Sequence, residues 1–276
     1  MRPLLVLVLV ALFGTPVPCG AAEVRPLYPR RIVSLAPAVT EILFELGLGG
    51  RVVGVTSLCD RPAEARRRPT VGGMANPSME AIVALRPDLV VMTRDGNPKE
   101  IAQRLTALGI ATHVFTAARL ADLPAGIRRM GRALGAERAA GRLAANLQAA
   151  AAAAVPPAGR RRRALFVVWP DPLLAAGSGT IIDDAMQLSG FSNIAADARG
   201  TYPRLSLETV LERQPEVIIV GAAGGMQVPL KEMLHRLRML DAVQRGRVCT
   251  VGDALYRPGP RVVEGIAELR RCGALP

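Results

Sequence analysis

The chain has 276 residues, half of them apolar, a formal net charge of +12 and four cysteines. A chain of this size and composition buries enough surface to fold without staples, which excludes disorder, while four cysteines with no C-x-x-C pair argue against a disulfide scaffold or a structural zinc site. Two distant histidines, His113 and His235, argue against a His-rich metal centre, and a 3% aromatic content limits any stacking platform for single-stranded nucleic acid.

At the N-terminus, Arg2 precedes an apolar run over residues 4–13, the breakers Gly14, Pro16 and Pro18, and the small residues Cys19, Gly20, Ala21 and Ala22. That is the order of a secretory signal peptide over residues 1–22, with an apolar run too short to span a bilayer. Lipid attachment at Cys19 fits less well, because Pro18 stands directly before it. The mature chain is therefore expected to be soluble and periplasmic. Export also argues against a nucleic-acid partner, so the arginine clusters at 66–68 and 160–163 read as solvated faces, with attraction to an anionic membrane surface as the weaker reading.

From residue 31 the pattern alternates between strand and helix. Strands are predicted over 32–35, 52–56, 89–93 and 112–115, and helices over 40–46, 79–85 and 98–108, the first and last of these closed by Gly47 and Gly109. Residues from about 123 to 154 are rich in Ala, Leu, Arg and Glu, the composition of one long helix, and Val155-Pro156-Pro157 stops it. The alternation then resumes, with strands over 164–168, 217–221 and 247–251 and helices over 180–188, 207–212, 230–237 and 260–271. We therefore expect an α/β protein with two lobes of mostly parallel sheet, residues 23–122 and 158–276, joined by a single long helix over 123–157.

An internal repeat supports this division. Ser78-Met79-Glu80 followed by Pro87-Asp88-Leu89-Val90-Val91 matches Ser206-Leu207-Glu208 followed by Pro215-Glu216-Val217-Ile218-Ile219, 128 residues further on. Each glutamate falls in the first turn of its helix, where a carboxylate is favoured by about 0.3–1 kcal/mol. Helix-start chemistry accounts for one such residue. Two at equivalent places point to matched acidic contacts for a partner that is itself two-fold.

Enzyme signatures do not appear. The chain lacks H-E-x-x-H, G-x-S-x-G and G-x-x-x-x-G-K, and Asp183 and Asp184 are adjacent, so a helix points them in different directions. Trp169 follows a predicted strand in W-P-D-P-L, the place where α/β folds carry ligand-binding loops, and Tyr202 lies in a loop beside Pro203. Asp253 and Arg257 stand either as ligand contacts or as a surface ion pair. Cys249 and Cys272 can pair in an oxidising compartment and leave Cys59 free, although spacing does not fix connectivity. His113 and His235 read as structural.

The stretches R-I-V-S-L-A-P-A-V-T-E-I-L-F-E-L-G from Arg31, V-G-V-T-S-L-C-D-R-P from Val52, V-G-G-M-A-N-P-S-M-E from Val71 and Y-P-R-L-S-L-E from Tyr202 resemble the periplasmic substrate-binding proteins of cobalamin and iron-chelate ABC importers, the cobalamin (corrinoid) binders above all. The resemblance runs from about residue 30 to the end of the chain. It implies two Rossmann-like lobes bridged by one helix, with the ligand in the cleft. It also implies that Glu80 and Glu208 dock on the permease dimer of the inner membrane, and that Asp253, Tyr256, Arg257, Tyr202 and Trp169 contact the corrinoid. Leu58, Thr93 and Val168 stand where the family has aromatic residues. The family's disulfide would need a cysteine near Ser189 to match Cys272. These implications describe a monomeric, non-enzymatic carrier that needs no cofactor, its corrinoid being cargo. The alternative on this scaffold is a haem or ferric-siderophore binder, for which Tyr202 or Tyr256 would ligate iron.

Overall fold

The computed structural model describes residues 28–154, 158–221 and 227–276. The expected signal peptide, with Cys19, lies outside the described residues. Unbroken apolar runs form the strands that end up covered on both faces, as parallel sheets require. In the first lobe these are β1 (Ile32–Ser34), β2 (Val52–Val55) and β3 (Leu89–Thr93), while β4 (Ala111–Phe115), which carries Thr112 and His113, is an edge strand buried only at Phe115; the strands alternate with α1 (Pro37–Glu45), α2 (Met79–Ala84) and α3 (Lys99–Ala107). The strands are all parallel, in the order β2-β1-β3-β4.

The second lobe repeats the plan. Its elements are β5 (Arg162–Pro170), β6 (Leu173–Ala175), α6 (Ile181–Leu188), β7 (Phe191–Asn193), α7 (Leu207–Arg213), β8 (Val217–Gly221), α8 (Gln227–Arg236), α9 (Asp241–Gln244), β9 (Val248–Val251) and α10 (Val262–Gly273). The parallel strands run β7-β5-β8-β9, the order of the first lobe, and β6 adds an antiparallel ribbon to the end of β5. The repeat found in the sequence therefore maps onto α2–β3 and α7–β8. Even their backbones agree: Arg86 and Gln214, each directly before the proline of the repeat, both adopt φ 44°. A left-handed turn there stops the helix and sends the chain into the strand.

The long helix expected over 123–157 is two helices, α4 (Leu123–Leu134) and α5 (Glu137–Ala153). Gly135, at φ 69°, closes α4, a left-handed conformation that glycine adopts without penalty. The pair then packs closely, since a Cβ on Gly131 would lie 2.2 Å from that of Ala140. One apolar cluster runs from Leu43 of the first lobe through Ile127 and Leu147 of this pair to Phe166 and Leu269 of the second.

Cys249 of β9 and Cys272 of α10 form a disulfide, and Cys59 remains a buried thiol. Ser189 is buried and its hydroxyl donates to the carbonyl of Ile266 at 3.3 Å, so a hydrogen bond stands where the resemblance implied a half-cystine. Among the described residues no helix is long and apolar enough to cross a membrane.

Candidate functional site

Parallel sheets present their loops at the carboxyl ends of the strands, and ligands collect there where the strand order reverses. In the first lobe β1 lies between β2 and β3, and the loops after all four strands line one cavity of about 690 Å³. They contribute Ala36, Pro37 and Ala38 after β1, Leu58, Asp60 and Arg61 after β2, Arg94 and Asp95 after β3, and Ala117 and Ala118 after β4, with Thr93 and Phe115 at the ends of β3 and β4 themselves. The second lobe closes the other side with Ile181 and Ile182 at the start of α6, Tyr202, and the segment from Asp253 to Pro258 after β9. The first lobe's loops are braced from below. Buried Asn97 accepts from the backbone N–H of Thr93 at 2.9 Å and donates to the carbonyls of Leu35 at 3.0 Å and Met74 at 2.9 Å. Thr40 Oγ1 lies 2.8 Å from Ser34 Oγ and 3.1 Å from Cys59 Sγ. Burial pushes the Cys59 thiol above its ordinary pKa, so it packs as a neutral group.

Four of the five expected ligand contacts, Tyr202, Asp253, Tyr256 and Arg257, line the cavity. Tyr202 and Leu58 are 47% and 54% exposed, so one large apolar side chain from each lobe stands open at the cavity's rim. Tyr256 is set deeper. Its ring meets Phe166 at a centroid distance of 6.0 Å, and its hydroxyl shares a proton with the carbonyls of Val167 and Val168 at 3.3 and 3.4 Å. It crosses so close to β8 that a Cβ on Gly221 would fall 1.9 Å from the hydroxyl oxygen. Burial, with Tyr202 adding to it, pushes its pKa well up.

Trp169 does not line the cavity. Side chains on a strand alternate, and Trp169 packs with Leu165 and Val167 on one face of β5 while Phe166 and Val168 face the other. Its indole N–H donates to the carbonyl of Asp171 at 2.8 Å. Strand parity thus puts Trp169, expected to contact the ligand, on the face of β5 away from this cavity.

Asp253 and Arg257 pair, at 2.7 Å, but as part of a larger cluster between the lobes. Arg257 also reaches Glu41 of α1 at 3.0 Å and Asp60 at 2.5 Å. Arg261, at the start of α10, grips Glu41 through two nitrogens at 2.9 and 3.0 Å and Asp253 at 3.0 Å. Glu41 is 5% exposed, and these arginines take up both of its carboxylate oxygens. Burial works against ionisation of Asp60, yet the hydrogen bond and charge of Arg257 outweigh it and hold the carboxyl below its ordinary range. Burial likewise opposes the charge on Arg257, and Asp60, Glu41 and Asp253 more than restore it. Glu41, Asp60 and Arg261 escape a local reading of the sequence because their partners lie in the other lobe. A glutamate set among Val39, Ile42 and Leu43 was the available signal. On another side of the molecule Arg119 pairs with Asp184 of α6, a second link between the lobes.

Glu80 and Glu208 are exposed, each in the first turn of its helix, behind Ser78 and Ser206 whose hydroxyls accept from the N–H of Ala81 and Thr209, both at 3.1 Å. Hydrogen bonds from its own backbone N–H and from Ser206 hold the Glu208 carboxyl below its ordinary range.

Two α/β lobes tied together beneath a cleft with an apolar rim define a solute-binding protein, which carries its ligand and does not transform it. The chain belongs to the periplasmic binding protein family, whose model matches residues 32–255. It is 32% identical over 249 residues to the vitamin B12-binding protein of Salmonella paratyphi A, covering 89% of this chain and 90% of that one. Among solved structures it is similar to the periplasmic vitamin B12 binding protein BtuF of Vibrio cholerae, with a TM-score of 0.74 and 26% identity over 88% of this chain and 96% of that one. It is also similar to the periplasmic heme-binding protein RhuT of Roseiflexus sp. RS-1, with a TM-score of 0.79 and 29% identity over 88% and 98%.

Proposed function

We propose that this protein captures a corrinoid, cobalamin or a close relative, between its lobes and delivers it to an ABC importer of the inner membrane. The observation that carries this reading is a cleft with an apolar rim whose deeper tyrosine turns its hydroxyl toward the carbonyls of Val167 and Val168. Tyr256 has its hydroxyl proton engaged by two carbonyls and its ionisation opposed by burial, both unfavourable to an iron tyrosinate. A corrinoid instead arrives with its cobalt already held in the ring, and asks for apolar edges and hydrogen bonds to its amides. Leu58, Tyr202 and Tyr256 supply the first; Asp253 and Arg257 supply the second from the edge of their ion cluster. The sequence relative named for vitamin B12 supports the same ligand.

The cargo is transported and is not a cofactor. The functional unit is a monomer, with lobes over residues 23–122 and 158–276 and the α4–α5 pair between them, released into the periplasm by cleavage near residue 22 and not anchored through Cys19. Glu80 and Glu208 dock one lobe each on the permease dimer, where their exposure and matched helix-start geometry present two carboxylates to a two-fold partner. A haem-binding reading draws on the fold shared with a heme-binding protein and on the rim position of Tyr202. Calorimetry with cyanocobalamin, haemin and a ferric hydroxamate separates the two. Cobalamin binding without a haem Soret shift is expected; haemin binding with silence toward cobalamin overturns the corrinoid reading.

A further inference from the structure

Building on the corrinoid reading, we propose that Arg61 and Arg94 form an anion-receiving pair in the cleft that takes the phosphodiester of the ligand's nucleotide loop, so that the protein selects complete corrinoids over those without that loop. Among the charged residues that line the cavity, Asp60, Asp253 and Arg257 are committed to one another and to Glu41 and Arg261. Three charges remain: Arg61, Arg94 and Asp95. Both arginines are exposed, and among the described residues neither guanidinium has a side-chain or carbonyl partner. Arg61 sits in the loop after β2 and Arg94 directly after β3, the strands on either side of β1, so the pair flanks the start of α1.

The ion cluster, with Glu41, Asp60 and Asp253 against Arg257 and Arg261, is one charge negative, and one carboxylate against two guanidiniums leaves the opposite unit of charge on the loops after β2 and β3, where the anion is received. The corrin ring's amide arms are neutral, and the phosphodiester is the fixed anion of a complete corrinoid. A guanidinium fork matches phosphate oxygens in geometry and stays charged at every relevant pH. Leu58 and Tyr202 beside it reduce local water once the ligand is seated, which strengthens the contact.

The test titrates the purified protein with cyanocobalamin and with dicyanocobinamide, which keeps the ring and amides and lacks the phosphodiester. The unsubstituted protein should bind cobalamin about tenfold more tightly than cobinamide at low salt, a preference that rising salt erodes. R61Q/R94Q should weaken cobalamin at least several-fold more than cobinamide and remove the salt dependence of the preference, and an unchanged melting profile reports an intact fold. Full cobalamin affinity in the variant, or equal weakening of both ligands with a native melting profile, overturns the role of the pair and leaves the corrinoid reading standing. Unsubstituted protein that binds haemin and neither corrinoid overturns that reading, and the phosphodiester assignment falls with it.

Discussion

Glu41 shows how a single side chain can hold a site together without touching the ligand. It is buried against two arginines from the opposite lobe, so Glu41→Gln takes from Arg261 the carboxylate it grips through two nitrogens and from Arg257 one of its three, and we expect a loss of about 3 kcal/mol in urea unfolding. The same cluster fixes a pH dependence. Asp60 has a folded-state pKa below its ordinary value of 3.8, so its stabilising effect is present above that value and is lost as pH falls through the folded one. Unfolding midpoints measured at pH 7 and again near pH 3 should therefore drop further in the unsubstituted protein than in Asp60→Asn. At Gly221 the argument is steric. Gly221→Ala drives a Cβ into the Tyr256 hydroxyl, and titration calorimetry should show corrinoid affinity falling by at least tenfold as the ring is displaced from the cleft. Asp253 and Arg257 could be picked out from sequence because they lie four residues apart in one loop. Glu41 could not, because its partners Arg257 and Arg261 are 216 and 220 residues away and no local pattern carries that pairing.

Elements with a strong period were legible, and short ones were not. The strands of the first lobe emerged within a residue or two of their predicted limits, whereas β6, β7 and α9, of three, three and four residues, are too brief to show any period. The break between α4 and α5 was written in Leu134-Gly135, an apolar residue before a C-terminal glycine, but helix-forming composition on both sides masked it. Trp169 was misplaced for a simpler reason, since counting parity from Phe166 along β5 puts it on the other face. The disulfide carries its own prediction at this scale. It joins β9 to α10 across a separation of 23 residues, and loop-closure entropy gives it about 3 kcal/mol. Reduction with dithiothreitol should lower the denaturation free energy by that amount, and Cys272→Ser should be insensitive to the reductant.

At the scale of the whole molecule, the lobes are joined by the α4–α5 pair, by the Glu41–Arg261 cluster and by Arg119–Asp184. Three ties in different places favour a small adjustment on ligand capture over a wide swing. The docking proposal belongs here as well. Exchanging both Glu80 and Glu208 for arginine should abolish uptake in cells while leaving the dissociation constant for cobalamin unchanged, because neither residue lines the cavity. Loss of affinity in the purified double variant would refute that division of labour. The helix-to-strand unit common to both lobes, visible in the sequence as the S-x-E repeat, is what gives each half its own carboxylate. Lastly, the apolar cluster that passes without interruption from Leu43 to Leu269 makes the halves unfit for separate lives. Either half produced alone would bare a greasy flank and clump, heating of the intact chain should give one calorimetric peak, and chimeras between relatives should survive only when the crossover keeps that seam within a single parent.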